Sequence, residues 1–306
     1  MTIINNSTSA FFERSLRGMT ELRKRAEGVQ DQIGSGERLS RSSDDPVAAS
    51  RLRLLQRSDR LSKIDLANAN RASSDLTLAD TALGSFATFI TRARELTIQA
   101  ANGTLTDEQR ASIGVELDQI HGQLVSLANS RDSAGHALFG GQTAGDAYTL
   151  DAGGNAVYIG TATSGEVPLG EGQSVTRGLT GPEFLDYDVN GTPTNLMAVV
   201  KSLAAALQGA AADPAGAASD ALASLSAGLD SVTTGQTLVG TRLSWIDLTV
   251  QRHVELSESR ATEQADIGGT DIAASIADLQ EVMLVLEASQ ASFSKLANLS
   301  LFNLVR

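Results

Sequence analysis

The 306-residue chain contains no cysteine, which excludes disulfides and thiolate-held metals. Aromatic residues are only 4% of the total, too few for a thick globular core and better suited to slim helical bundles. Histidine is confined to His121, His136 and His253, too few and too scattered to suggest a metal cluster. No run approaches 18 apolar residues, so no membrane-spanning helix is expected. Met1–Phe12 lacks the basic start and apolar core of a secretory signal peptide. A net charge of −12 argues against nucleic acid and against an anionic membrane as partners. Nucleophile elbows, Walker loops and spaced dinucleotide-binding glycines are also missing, so the chain carries no constellation that points to an enzyme or to a cofactor.

What is present is apolar spacing. Phe12, Met19, Leu22, Ala26, Val29 and Ile33 fall on alternating three- and four-residue steps, with Ser15 filling one step. Ile272, Ile276, Leu279, Met283, Leu286, Phe293 and Ala297 do the same near the other end, with Gln290 as the polar exception. Such spacing places a narrow stripe on a helix, the stripe that packs against another helix in a coiled coil. Phe12, Met19, Leu22, Val29, Ile33, Ile272, Ile276, Leu279, Met283, Leu286 and Phe293 are therefore the expected assembly interface. A seam buried wholly within one subunit would have the same spacing.

Charge divides the chain as well. Residues 136–240 hold two basic and ten acidic residues, a net of −8, and read as solvated surface. Residues 1–60 hold eleven basic and eight acidic residues, a net of +3.

Helix and loop signals follow in order. The spacing predicts a helix from about Ser7 to Ile33, roughly 40 Å long, stopped by Gly34-Ser35-Gly36. Asp44 or Asp45 as N-cap and Pro46 at the first helical position start a second helix, which runs to about Ala101. Its stripe is clearest over Leu76, Ala79, Leu83, Phe86, Ile90, Ala93, Leu96 and Ala100. Thr106 and Gln109 form a capping box for a third helix, striped by Ile113, Leu117, Ile120, Leu124 and Leu127. Leu138-Phe139-Gly140-Gly141 then opens a region rich in Gly, Thr and Val, with Gly140-Gly141 a tight reversal. In that region Ala147–Leu150 and Val157–Gly160 flank Asp151–Asn155 as a hairpin. Four of the five prolines lie between Pro168 and Pro214. Helical pattern resumes near Leu196, breaks around Asp213-Pro214, and continues from about Ala218 to Ala265. After Gly268-Gly269 a last helix runs from Asp271 to near Leu304.

Asp186, Asp188, Asn190 and Gly191 match the opening of a calcium loop, in which alternate side-chain oxygens wrap the ion. Met197 stands where the bidentate Glu is needed and no helix precedes the segment, so a polar turn is the better reading.

Gln32-Ile33-Gly34-Ser35-Gly36-Glu37-Arg38-Leu39, followed by Ser43-Asp44-Asp45-Pro46-Val47-Ala48-Ala49, resembles the N-terminal signature of the flagellin superfamily. Its Asp-Asp-Pro form is similar to members that join hook to filament, whereas filament-forming members tend to continue Asp-Asp-Ala-Ala-Gly. Arg110, Ile113, Glu116 and Leu117, then Leu138–Gly141, Val239-Gly240-Thr241-Arg242, and Asp271-Ile272-Ala273 through Leu299-Ser300-Leu301 resemble further motifs of that family in the right order. The resemblance covers roughly residues 1–142 and 238–306, leaving 143–237 without diagnostic residues.

The resemblance implies a mainly α fold: terminal coiled-coil helices plus an elongated helical bundle with a small β-rich inserted domain. The implied domains are 1–43 with 266–306 for assembly, 44–135 with 196–265 as the helical bundle, and 136–195 as the outer insertion. It implies a structural role at the hook–filament junction, with a ring of like subunits between the first hook-associated protein and flagellin. Export by the flagellar apparatus, with an export chaperone, is implied too, and this agrees with the missing signal peptide and cysteines. A filament subunit and, more remotely, a cytosolic coiled-coil scaffold or signalling bundle are the competing readings. No cofactor, nucleic acid or membrane is implied.

Overall fold

The computed structural model describes residues 3–39 and 41–304. Among them, seven α-helices and three short hairpins follow in the order α1 (Ile3–Ser35), α2 (Pro46–Ala100), α3 (Asp107–Ala128), β1 (Tyr148–Leu150), β2 (Ala156–Tyr158), β3 (Glu166–Gly170), β4 (Gln173–Thr176), α4 (Pro182–Leu185), β5 (Asp186–Val189), β6 (Thr192–Asn195), α5 (Leu196–Ala205), α6 (Pro214–Gly268) and α7 (Ile272–Leu304). The fold is mainly helical with a small inserted β region, as the sequence leads one to expect.

Punctuation residues set the helix ends. Gly36, at φ 73°, turns the chain after α1. Asp45 Oδ1 accepts from the Ala48 N–H at 3.0 Å, which caps the start of α2 above Pro46. Thr106 and Gln109 form the reciprocal capping box of α3. Asp213 and Asp271 accept from the Gly216 and Ala274 N–H groups at 2.9 and 3.0 Å, opening α6 and α7. Helix α6 begins at Pro214, one turn before the first apolar-periodic residue, because proline is well tolerated in a first turn. A five-residue π turn at Ala206–Ala210 ends α5, with Gly209 at φ 107°.

The chain divides into two units, residues 1–60 with 256–306 and residues 61–255. Helices α2 and α6 each contribute to both. In the larger unit the α2 stripe Leu76, Ala79, Leu83, Phe86, Ile90, Ala93, Leu96 and Ala100 is at most 2% exposed. Leu117, Ile120 and Leu124 of α3 and Val232, Val239 and Ile246 of α6 complete that core. Three rings meet inside it: Phe184 lies 5.3 Å from Phe86 and 4.9 Å from Phe139 between centroids. Phe139 belongs to the Leu138–Gly141 reversal. A Cβ on Gly140 would meet Thr143 Cγ2 at 2.6 Å, and Gly141 sits at φ 71°, so both positions require glycine.

The hairpins β1–β2, β3–β4 and β5–β6 are separate antiparallel pairs. Segment Asp186–Asn195 forms the third, turning at Asn190 and Gly191 with φ 52° and 80°. Asp186 and Asp188 alternate along an extended strand, and Asp186 Oδ1 accepts from Asn195 Nδ2 at 2.5 Å. The ion-wrapping backbone of a calcium loop is not formed there.

Candidate assembly surface

In the smaller unit α1 and α7 run antiparallel. Phe12 meets Phe293 with centroids 5.2 Å apart, and Arg25 Nη2 donates to Asp278 Oδ1 at 2.7 Å. A backbone clasp closes the pair beyond these helices. Arg38 N–H donates to the Gly268 carbonyl at 2.8 Å, and Thr270 N–H donates to that of Gly36 at 3.0 Å. Arg38 also sends Nη2 to the Ile267 carbonyl at 2.8 Å. The two glycine breaks of the sequence therefore serve as a joint: each leaves backbone groups free to pair with the other.

Continuing from this joint, α2 and α6 are tied by charged side chains. Arg51 Nε donates to Glu263 at 2.6 Å, while Asp59 accepts from Arg260 Nε and Gln264 Nε2, each at 2.7 Å. Leu55, on the same face of α2 as Asp59, is 5% exposed.

The covered stripe of α1 follows the predicted spacing. Phe12, Ser15, Met19, Leu22 and Ile33 are half-buried, and Ala26 and Val29 are buried. On α7 the covered stripe is Ser275, Leu279, Val282, Leu286, Ser289 and Phe293, again on four- and three-residue steps. Leu279, Leu286 and Phe293 belong to the expected seam, but Ile272, Ile276 and Met283 lie to one side of it and are 52%, 43% and 52% exposed. The side chain of Ala297 lies outside the described residues. Two serines explain the difference: a small hydroxyl lets helices approach closely, so Ser275 and Ser289 occupy seam positions that an apolar count passes over. Allowing serine at those steps would have brought Val282 into the stripe.

A two-helix pair covers little more than one stripe on each partner. Among the described residues of α1 and α7, only Ala26, Val29, Val282 and Leu286 are buried. On one side Phe11, Ser15, Gly18, Met19 and Leu22 face Val285, Ala288, Ser289, Ser292, Phe293 and Leu296 across an open groove of about 430 Å³. Small residues at Gly18, Ala288 and Ser292 leave room that larger side chains would fill. Leu284, at 68% exposure, adds to the uncovered apolar surface. Exposed apolar side chains gathered along this helix pair make it the candidate interaction surface. Covering one Leu- or Ile-sized side chain fully is worth about 1.5–3 kcal/mol.

The larger unit holds a cavity of about 390 Å³ beside Asp75, Asp132, His136 and Arg177. Arg177 forks between two buried carboxylates, Nε to Asp75 at 2.9 Å and Nη2 to Asp132 at 2.5 Å. Burial pushes the Asp132 carboxyl up, but the His136 and Ala134 N–H groups, the His136 ring and Arg177 together hold it below its ordinary range. Among the described residues no three His, Asp or Glu groups are placed to hold a metal ion.

The other motif residues carry packing. Arg110 is buried and donates to the Ala100 and Asn102 carbonyls at 3.1 and 3.0 Å, closing the C-terminus of α2. Glu116 accepts from Arg92 at 2.8 Å, holding α3 to α2. Arg242 Nη1 donates to the Gly178 carbonyl at 2.7 Å.

The family model for the bacterial flagellin N-terminal helical region matches residues 5–144. Flagellar hook-associated protein 3 of Escherichia coli is 28% identical over 208 residues, 65% of this chain and 65% of that protein. Its Salmonella typhimurium counterpart is 33% identical over 135 residues, 44% of this chain and 43% of that protein. The chain thus spans less than two thirds of the length of these curated relatives. A solved structure from Vibrio parahaemolyticus, described as a flagellar hook-associated protein, superimposes with a TM-score of 0.67 at 25% identity, covering 74% of this chain and all of that one.

Proposed function

We propose that the chain is a member of the flagellin family and a structural, non-enzymatic subunit of the bacterial flagellum, placed at the junction of hook and filament. The observation that carries this reading is the α1–α7 pair, which leaves Ile272, Ile276, Met283 and the Phe11–Leu296 groove exposed in a single chain. Side chains this apolar are covered by neighbouring subunits, so ordering of the arms and assembly are coupled. The interface comprises Phe12, Met19, Leu22, Val29, Ile33, Ile272, Ile276, Leu279, Met283, Leu286 and Phe293. Residues 1–43 with 266–306 act as assembly arms, 44–135 with 196–265 as the bundle that supports the rest, and 136–195 as the outer part.

The partners are a ring of like subunits, the first hook-associated protein on the hook side and flagellin on the filament side. The chain reaches them through the flagellar export apparatus, held by an export chaperone until it passes. A clean deletion, with labelling of the complemented strain, tests the whole reading. Loss of filaments with continued secretion of flagellin, and label confined to the hook boundary, is the expected result. Label along the filament would make the chain a filament subunit instead, and unchanged swimming would remove the reading.

A further inference from the structure

The α2–α6 portion of the smaller unit carries opposite charges on its two outer edges. On α2, Leu55 and Asp59 face α6, where Asp59 holds Arg260 and Gln264. Arg53 and Arg57 stand two residues to either side of Leu55, about 200° round a helix of 3.6 residues per turn, and Arg60 falls on the same outer face. All three are exposed, and none makes an ion pair among the described residues, in contrast to Arg51 and Arg260. Between Arg53 and Arg60 the one acidic residue of α2 is Asp59, which points the other way. Leu54, 52% exposed, flanks the basic face.

On α6 the relation is mirrored. Arg260 and Glu263 turn toward α2, while Glu258, Thr262 and Asp266 lie on the outer side and are exposed. The Thr262 hydroxyl donates to the Glu258 carbonyl at 3.1 Å, which leaves both carboxylates free of it. The antiparallel pairs Arg51–Glu263 and Asp59–Arg260 put Arg53–Arg60 and Glu258 at the same level along the two helices.

We propose that Arg53, Arg57 and Arg60 of one subunit dock against Glu258 and Asp266 of a second copy of this chain, edge to edge. The inference rests on the ring of like subunits proposed above and assigns the faces that meet in it. A basic edge and an acidic edge on opposite sides of one subunit make a heterologous, head-to-tail contact, the kind that repeats round a closed ring. An isologous pairing would set Arg against Arg, and like charges at an interface are strongly disfavoured. The same complementarity fixes the direction in which neighbours are added.

The test uses three variants of the full chain in a strain lacking it: Arg53→Glu with Arg57→Glu and Arg60→Glu; Glu258→Lys with Asp266→Lys; and all five together. The readout is the amount of the chain in purified hook-containing particles, alongside the circular dichroism of each monomer. Either edge reversed alone should cut incorporation at least tenfold with monomer helicity unchanged, because like charges then meet at every contact. Reversing both edges restores opposite charges and should bring incorporation back to within a few-fold of the parent. Normal incorporation of the single-edge variants, or a quintuple variant that fails with a folded monomer, would overturn the proposal. Absence of the parent chain itself from the particles would instead contradict the junction reading, so the two failures are distinct.

Discussion

Phe12 and Phe293 meet edge to face, with centroids 5.2 Å apart and ring planes at 84°, and so join the α1 and α7 arms across nearly the whole sequence. Such a pair is worth about 0.5–1.5 kcal/mol beyond the area it buries. Phe293→Ala removes both this contribution and the buried ring area, so it should weaken arm pairing and lower incorporation into flagella by about three- to tenfold or more. The melting temperature of the larger unit, followed by near-ultraviolet circular dichroism, should stay where it is. A matching drop in that melting temperature would mean that the pair stabilises more than the arms.

Leu286 is 8% exposed and Ile276 is 43% exposed on the same helix, which separates two roles. Leu286→Asp puts a charge into the stripe that faces α1, at a desolvation cost of several kcal/mol, and should unpair the arms in the monomer. Ile276→Asp leaves that stripe untouched. Its monomer should show parental helicity and protease resistance, while assembly into flagella fails. If Ile276→Asp assembled normally, the exposed flank of α7 would not be a subunit contact.

Much of this architecture is legible in residue spacing, and the exceptions have physical causes. The stripes of α1, α2 and α3 are made almost wholly of apolar side chains at regular steps, so periodicity alone marks their covered faces. The α7 face is carried partly by Ser275 and Ser289, whose small size suits close packing while their hydroxyls count as polar. Ile272, Ile276 and Met283 then look like seam residues although they flank it. The clasp between Gly36–Arg38 and Gly268–Thr270 is long-range backbone pairing, which leaves no trace in side-chain pattern beyond the glycines themselves. Hairpins β3–β4 and β5–β6 are short, and their turn residues are scattered among prolines and acidic residues that read as loop. The edge charges of α2 and α6 acquire meaning only when the antiparallel pairing shows which arginines are already engaged.

Arg177→Met tests how the β region is held. Asp75 and Asp132, with side chains 7% and 4% exposed, would lose their shared cation. Leaving a buried polar group unsatisfied costs about 1–3 kcal/mol, and a charged one more, and in a domain of this size each kcal/mol lowers the melting temperature by about 2–4 °C. Calorimetry of the larger unit within the full chain checks this. A change below about 1 °C, less than half the smallest shift expected, would show that water replaces the guanidinium.

Two groups give the larger unit distinct acid responses. Burial, with Lys201 nearby, lowers the pKa of His121 from its ordinary 6.5, and Nε2 has no partner among the described residues. The unfolded chain then binds a proton that the folded chain resists, so stability should fall as the pH drops below about 6.5. Asp132 is held below its ordinary 3.8, so its contribution is present above that value and lost as the pH falls through its lower folded pKa. Denaturant titrations carried from neutral pH down past the ordinary carboxylate range should show two declines, and His121→Leu should remove only the upper one. Persistence of the upper decline in that variant would assign it to another group.

The most direct measurement uses the absence of native cysteine. Ile276→Cys and Met283→Cys each place one thiol on the exposed flank of α7, and Ile159→Cys places one on the β region, where the native side chain is 52% exposed. Maleimide labelling of each single variant is compared between the purified monomer and isolated hook–filament particles. The account predicts that all three thiols react in the monomer. In the particles, the two α7 thiols should react at least tenfold more slowly, while the thiol of the Ile159→Cys variant remains reactive. Equal labelling of the α7 thiols in both states would contradict the claim that these arms are the surface through which the chain assembles.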